Sequence, residues 1–271
     1  MKVSIFVPTY QDPIALELIL EALEKQIYQD FEVIVAEDND AIETVEMLKK
    51  FSDLSIQHVS QEDKGNRKAT ILNKALALAK GEYLIFIDGD TIPFTTFIES
   101  HVALAKLKTV LCGRRVNLGQ QISQEVRTRQ KSIFELEFNY LKHFNYLKKG
   151  ATRHYEQGLR FKPNSFIQKL LMNNNKNVHI VGSNFSCFKE DMFLINGFDE
   201  DITGGSKDDV DLEWRFIMSG CELKSSKYCA NLFHLEHNRA SRVEEEAVAK
   251  VQMQKNRDAK QFICSNGIVK L

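Results

Sequence analysis

KATILNKALALAKGEYLIFIDGD, residues 68 to 90, changes its hydrophobic period once, and that change decides the fold. From Lys68 to Lys80 the apolar residues Ala69, Leu72, Ala75, Leu76 and Ala79 line one face of a helix, and Gly81 is placed to stop it. EYLIFID follows at once as an unbroken apolar run, the pattern of a strand buried on both faces. The same alternation starts at the first residues. KVSIFVP reads as a strand, Asp12 and Pro13 cap and open a helix, and FEVIVAED is a second buried strand. A helix near Ala41 to Phe51 then leads to a short strand, LSIQHV. The expected fold class is α/β with a mostly parallel central sheet.

In such a sheet, ligands bind beyond the carboxyl ends of the strands. Thr9, Asp38 and the Asp88-Gly89-Asp90 turn all fall at such ends, so three strands deliver polar groups to one crevice. Asp-Gly is also an ordinary turn dipeptide. Two carboxylates at the end of a buried strand are nevertheless costly unless solvent or a cation meets them.

A second acidic cluster lies in NGFDEDITGGSKDDVDLEWRFIMSG, residues 196 to 220. Gly204 and Gly205 permit a tight loop, and Asp208 or Asp209 can start a helix with Val210, Trp214 and Ile217 expected to face inward. Helix capping explains one aspartate. It does not explain the crowding of Asp208, Asp209, Asp211 and Glu213, which points to a cluster aimed at a hydroxyl or a cation. One acid of such a pair can bind a sugar while its neighbour serves as base. Downstream, LFHLEHNR sets His234 and His237 three residues apart, and either can complete a site begun by Asp90. Carboxylate, imidazole and phosphate oxygens together suit Mn²⁺ or Mg²⁺ rather than structural zinc.

The chain has 271 residues, enough for one large domain with a sizeable core, and 36 basic against 37 acidic side chains. That balance argues against a general nucleic-acid binder. Residues 114 to 170 depart from it, with 12 Lys and Arg against 4 Glu and no Asp, a local charge of +8. Two readings stay open for this stretch. One is a long amphipathic helix with a solvated basic face; the other is a surface for an anionic acceptor or for lipid headgroups, marked by Arg127, Arg129 and Lys131. The five scattered cysteines form no CxxC pair and read as reduced core thiols. Strand sequence at the start and the lack of an apolar run of about 18 residues give a cytoplasmic expectation, at most at the inner face of a membrane.

Taken together these segments resemble a family 2 glycosyltransferase of the GT-A fold, over nearly the whole chain. VSIFVPTYQDP is similar to the family's opening strand and loop, VIVAED to its nucleotide-base site, and GNRKATILNKALALAKGEYLIFIDGD to the sugar-nucleotide segment ending in Asp-x-Asp. VGSNFSCFKEDMFLINGFDEDITGGSKDDVDLEWR resembles the acceptor-side block, of the galactosyltransferase C-terminal type. The resemblance implies a Rossmann-like sheet flanked by helices in a single domain. Residues 1–113 would form the nucleotide-sugar half, 114–175 a helical basic insertion, and 176–271 the acceptor half with a C-terminal helix.

It further implies that Pro8, Thr9 and Tyr10 line the uridine pocket and that Asp38 accepts from the base. Arg67, Lys68, Asp88 and Gly89 would meet the ribose and diphosphate, and Asp90 the metal, with His237 or His234 beside it. Asp209 would be the catalytic base, with Asp208, Gly205 and Trp214 on the acceptor side. Glu37 stands where the family often has Asp. The implied activity is inverting, Mn²⁺- or Mg²⁺-dependent transfer from a nucleotide sugar, expected to be a UDP-sugar, to a glycan or lipid-linked glycan. Dinucleotide and ATP-binding readings lack their motifs, since neither G-x-G-x-x-G nor G-x-x-x-x-G-K-[ST] occurs where it is needed. A nucleotidyltransferase and a non-catalytic sugar-nucleotide-binding module are the remaining alternatives.

Overall fold

VSIFVPT is buried at all seven positions because both of its faces are covered. Ile5 and Val7 pack with Leu16, Leu20 and Leu23 on one side, while Phe6 packs with Ile71, Leu72 and Leu76 on the other. This is the arrangement that an unbroken apolar strand anticipates. The computed structural model describes residues 1–150, 154–173, 178–202, 207–237 and 243–271. Its first half runs β1 (Val3–Thr9), α1 (Pro13–Glu24), β2 (Phe31–Glu37), α2 (Ile42–Leu48), β3 (Ile56–Ser60), α3 (Lys68–Leu78), β4 (Tyr83–Ile87), β5 (Thr91–Pro93), α4 (Phe97–Leu104) and β6 (Thr109–Cys112). Then come β7 (Val116–Asn117), α5 (Gln120–Arg127), α6 (Ile133–Phe138), α7 (Tyr140–Gly150) and α8 (Phe166–Asn173). The last part is β8 (Asn184–Phe188), α9 (Lys189–Leu194), α10 (Lys207–Met218), β9 (Glu222–Ser225), β10 (Leu232–His234) and α11 (Val243–Asp258).

The main sheet has strand order β3-β2-β1-β4-β8-β6-β9. The strands β3, β2, β1 and β4 run parallel, and β8 is inserted antiparallel between β4 and β6. From β1 the chain winds outward through β2 and β3 and then returns to place β4 on the other side of β1. The switch point therefore lies between β1 and β4, where Thr9 and the Asp88 turn end their strands. Phe6, Phe86 and Phe185 stack across three neighbouring strands at centroid separations of 4.6 and 4.5 Å. Each such pair adds about 0.5–1.5 kcal/mol beyond burial.

A small second sheet, β5-β10-β7, follows the turn. Asn184 ties it to the main sheet by donating to the carbonyls of Arg114 and Ala230, just before β7 and β10. Asn184 Oδ1 faces His101 Nε2 at 3.1 Å, and His101 Nδ1 lies 2.7 Å from Ser186 Oγ. Burial pushes the His101 imidazole down to about 3, so it is neutral there.

Several sequence expectations are met and others are corrected. Asp12 caps α1 by accepting from Ala15 N at 3.0 Å, and all five cysteines are free and buried. The helix after Asp38 is shorter than expected, and α3 ends at Leu78. Gly81 is required for close approach rather than for stopping a helix, since a Cβ there would lie 2.4 Å from Ser4 N. Residues 114–170 do not form one long helix; their described part is a series of short ones. Nor are the three marked basic residues free for a ligand. Arg127 makes a two-pronged pair with Asp12, Arg129 pairs with Glu17 and Glu21, and Lys131 pairs with Glu135. Among the described residues no helix is long and apolar enough to cross a membrane.

Candidate active site

The turn after β4 is closed by its own side chains. Thr91 Oγ1 donates to Asp88 O at 2.8 Å, and Gly89 lies so near Pro8 that a Cβ would sit 2.3 Å from its carbonyl oxygen. Asp-Gly is thus a turn signal and a site signal together. Asp88 receives Lys68 Nζ at 2.6 Å from the first turn of α3. Burial opposes the Lys68 charge, yet Asp88, Asp208 and Asp209 outweigh it and hold the ammonium well above the ordinary lysine range.

Asp90 points the other way, toward β10. His234 lies opposite Thr91 of β5 and beside Asn117 of β7, and Leu235 N donates to Asp90 O at 2.9 Å. Asp90 Oδ2 is consequently 3.3 Å from His234 Nε2 and 2.8 Å from His237 Nε2. Burial would raise the Asp90 carboxyl, but the two imidazoles hold it below the usual carboxylate range. The ligand atoms of all three residues lie within 4.8 Å of one another. Asp90 Oδ1 and His234 Nδ1 are buried without a hydrogen-bond partner, so the cluster has unused ligand capacity. One oxygen and two imidazole donors with no thiolate fit a first-row divalent ion such as Mn²⁺ better than Mg²⁺, which prefers oxygen ligands. The choice between the two histidines dissolves, because both reach Asp90.

The helix α10 presents a different face from the one expected. Val210 and Ile217 are exposed, whereas Leu212, Phe216, Asp211 and Arg215 are buried. Arg215 is wholly enclosed, with Nε donating to Asp211 Oδ2 at 2.6 Å and Nη1 to the carbonyls of Ile195 and Gly197. Glu213 accepts from Ile180 N at 2.9 Å and meets His179 at 3.0 Å. Two of the four crowded acids therefore hold the helix in place, leaving Asp208 and Asp209 to face Lys68. Burial raises Asp208. Burial, then the Asp208 charge, pushes Asp209 up to about 7, with Lys68 opposing. Trp214 lies with its ring centre 5.9 Å from the Arg257 guanidinium of α11. Gly205 lies outside the described residues.

At the other end of the crevice, Thr9 O accepts from Asp38 N at 3.0 Å, joining the ends of β1 and β2. Asp38 already accepts from Gln61 Nε2 at 2.7 Å and from Arg67 N at 2.8 Å. Arg67 donates from its guanidinium to Glu62 O and keeps a buried Nε without a partner. Tyr10 is half exposed and donates to Asp63 Oδ2 at 3.0 Å. Glu37, where Asp was the more common expectation, is buried between Thr44 Oγ1 and His58 Nε2.

The profile of glycosyl transferase family 2 matches residues 4–189, more than half of the chain. The chain belongs to glycosyl transferase family 2. Chondroitin synthase of Escherichia coli is 26% identical over 229 residues, which cover 82% of this chain and 33% of that protein. The family 2 chain thus spans about a third of that relative's length. A mannosyltransferase from Pyrobaculum calidifontis, in complex with GDP-Man and Mn²⁺, superposes with a TM-score of 0.60 at 17% identity, covering 95% of this chain and 64% of that one. Residues 1–349 of TarS from S. aureus, in complex with UDP-GlcNAc, superpose with a TM-score of 0.56 at 16% identity, covering 89% and 60%. At these identities the likeness establishes the fold, which is the α/β GT-A arrangement expected.

The family match ends before α10 and β10, so Asp208, Asp209, His234 and His237 stand on geometry. Three supporting residues carry no role in the sequence reading. Gln61 and Asp63 hold Asp38 and Tyr10. A Cβ on Gly182 would lie 2.6 Å from Asp209 Oδ1, so that glycine sits directly against the family 2 chain's candidate base. A glycine within VGSNF is the one signal that pointed there.

Proposed function

We propose that this chain is an inverting glycosyltransferase that moves a sugar from a nucleoside-diphosphate sugar, a UDP-sugar first, to a hydroxyl of a glycan or lipid-linked glycan. The observation that carries the reading is the Asp90–His234–His237 cluster next to the turn in which Asp88 meets Lys68, Asp208 and Asp209. UDP-GlcNAc, GDP-Man and Mn²⁺ in the neighbours of like fold support it. Pro8, Thr9, Tyr10, Asp38 and Arg67 form the base and ribose wall, with Lys68, Asp88 and Gly89 at the diphosphate side. Asp90, His234 and His237 hold Mn²⁺ or Mg²⁺, which when bound offsets the charge developing on the leaving diphosphate.

Asp209 takes the proton of the acceptor hydroxyl as that oxygen bonds to the anomeric carbon and the bond to the diphosphate oxygen breaks. Asp208 binds the acceptor, while Trp214 lies on another side of α10, against Arg257 of α11. Calorimetric titration of UDP, with GDP and dTDP beside it, in Mn²⁺ and then in EDTA tests this reading. Metal-dependent UDP binding, followed by acceptor-dependent UDP release from a UDP-sugar, is the expected result. Absence of nucleotide binding, or pyrophosphate as the product, would count against it.

The proposal has a pH signature. A carboxyl pushed up to about 7 is protonated below that value and becomes a base only above it. The kcat/KM profile should therefore rise with pH through this region and then level. Asp208 contributes to the upward shift, so Asp208→Asn should move the rising limb to lower pH. A limb that stays in place would separate Asp208 from the titrating group.

A further inference from the structure

The helix α8, FIQKLLMN, is folded inside out. Phe166 is 80% exposed, Ile167 52%, Leu170 54% and Leu171 37%, while Gln168 is 3% exposed and turned inward, its amide 4.0 Å from Cys229 Sγ. At about 100° per residue the four apolar side chains fill one continuous arc of roughly 140°, with Gln168 and Lys169 each about 60° beyond one of its ends. Scattered apolar residues on a surface are ordinary, but four on one face of one helix are a patch that expects a partner. The chain entering α8 extends the apolar character. Phe161 shares a groove with the exposed Phe138 and Leu141, and Lys142 and Arg160 also line it.

Charge identifies the partner. Elsewhere in the basic stretch Arg127, Arg129, Lys131 and Arg160 are paired to carboxylates, while Lys142, Lys148 and Lys149 of α7 are exposed and add to the positive charge left unpaired among the described residues. Lys162 and Lys169 are exposed and have no carboxylate partner among the described residues. Glu156 is the sole acidic residue between positions 138 and 170. An apolar arc flanked by uncompensated lysines complements a surface that is apolar beneath and anionic above. A second copy packed through the same face would instead bring a segment without any acid, residues 157–173, against Lys162 and Lys169.

We propose that α8 is an interfacial docking helix that lays Phe166, Ile167, Leu170 and Leu171 into the surface of a bilayer containing anionic lipid. Lys162 and Lys169 contact the headgroups. Within the +8 stretch, Arg127 and Arg129 thus clamp α1, whereas Lys162 and Lys169 meet lipid. This assignment is independent of the reaction proposed above.

Sedimentation with vesicles of phosphatidylcholine, with and without phosphatidylglycerol, tests it. The protein should bind only the anionic vesicles, and less at high salt. Phe166→Ser with Leu170→Ser should weaken binding by at least roughly tenfold. Lys162→Gln with Lys169→Gln should weaken it by roughly 30-fold, from the loss of two headgroup contacts. Arg129→Gln, whose charge is already paired, should leave it nearly unchanged. Phe166→Trp gives an independent readout, an added emission quenched by brominated lipid. Unchanged thermal melts of the variants separate lost docking from lost folding. Failure to bind anionic vesicles, or binding indifferent to the α8 variants, would overturn the proposal. So would a dimer in light scattering that Phe166→Ser with Leu170→Ser converts to monomer.

Discussion

Asp209→Asn is expected to leave UDP binding nearly intact while lowering turnover by roughly 10²–10⁴-fold, the range ascribed to a positioned general base. The substitution keeps the size, turns one acceptor oxygen into an N–H donor, and removes the charge together with the ability to take a proton. Three features make this residue the one to change. Asp209 sits against Gly182, where no side chain separates it from the backbone. Its carboxyl is pushed up to about 7, which brings proton uptake and release within reach at neutral pH. Burial, then the Asp208 charge, raises it, and Lys68 opposes them. Calorimetry gives the binding arm and UDP release gives the turnover arm. Full activity in Asp209→Asn would remove the base assignment while leaving the fold and the nucleotide crevice untouched.

The second large effect is expected at Asp90. Loss of a residue that merely supports a metal ligand costs roughly 10–100-fold in affinity, so loss of the carboxylate ligand in Asp90→Ala should cost roughly 100-fold or more. His234→Ala should approach the same result, because His234 is 2% exposed and its place cannot be filled by a flexible neighbour. The readout is the ratio of UDP affinity in Mn²⁺ to that in EDTA, which should collapse toward unity. His143→Ala, a surface histidine near Glu135, is the matched control. A ratio unchanged from the parent protein would refute the ligand role of Asp90.

The strands β1, β2 and β4 were legible because each is an apolar run closed by a polar turn that puts Thr9, Asp38 or Asp88 at its end, whereas β3, IQHVS, is half-buried and showed only a short mixed pattern. The face of α10 was not. Val210, Trp214 and Ile217 have helical spacing, but so do Asp211 and Arg215, and an ion pair four residues apart can be the buried stripe when the arginine finds two carbonyls inside. Hydrophobic periodicity has no means of seeing that. The basic stretch misled for a related reason. Its apparent excess is partly cancelled by Asp12, Glu17 and Glu21, acids that are distant in sequence and adjacent in space. The second sheet was invisible, since β5, β7 and β10 have only three, two and three residues and no period can be read from so few.

That small sheet also bears on how the protein comes to be active. His234 reaches Asp90 only after β10 has slotted between β5 and β7, and β10 follows nearly all of the main sheet in the chain. Contacts between residues so far apart close slowly, because a long segment must lose its freedom before the pairing rewards it. The aspartate turn can form early as part of β1 and β4, yet without the imidazoles it is only a turn. On the proposed metal site, competence is thus a late event in folding: a nascent or partly folded chain would carry the motif without the site, and a bound ion would favour the finished molecule.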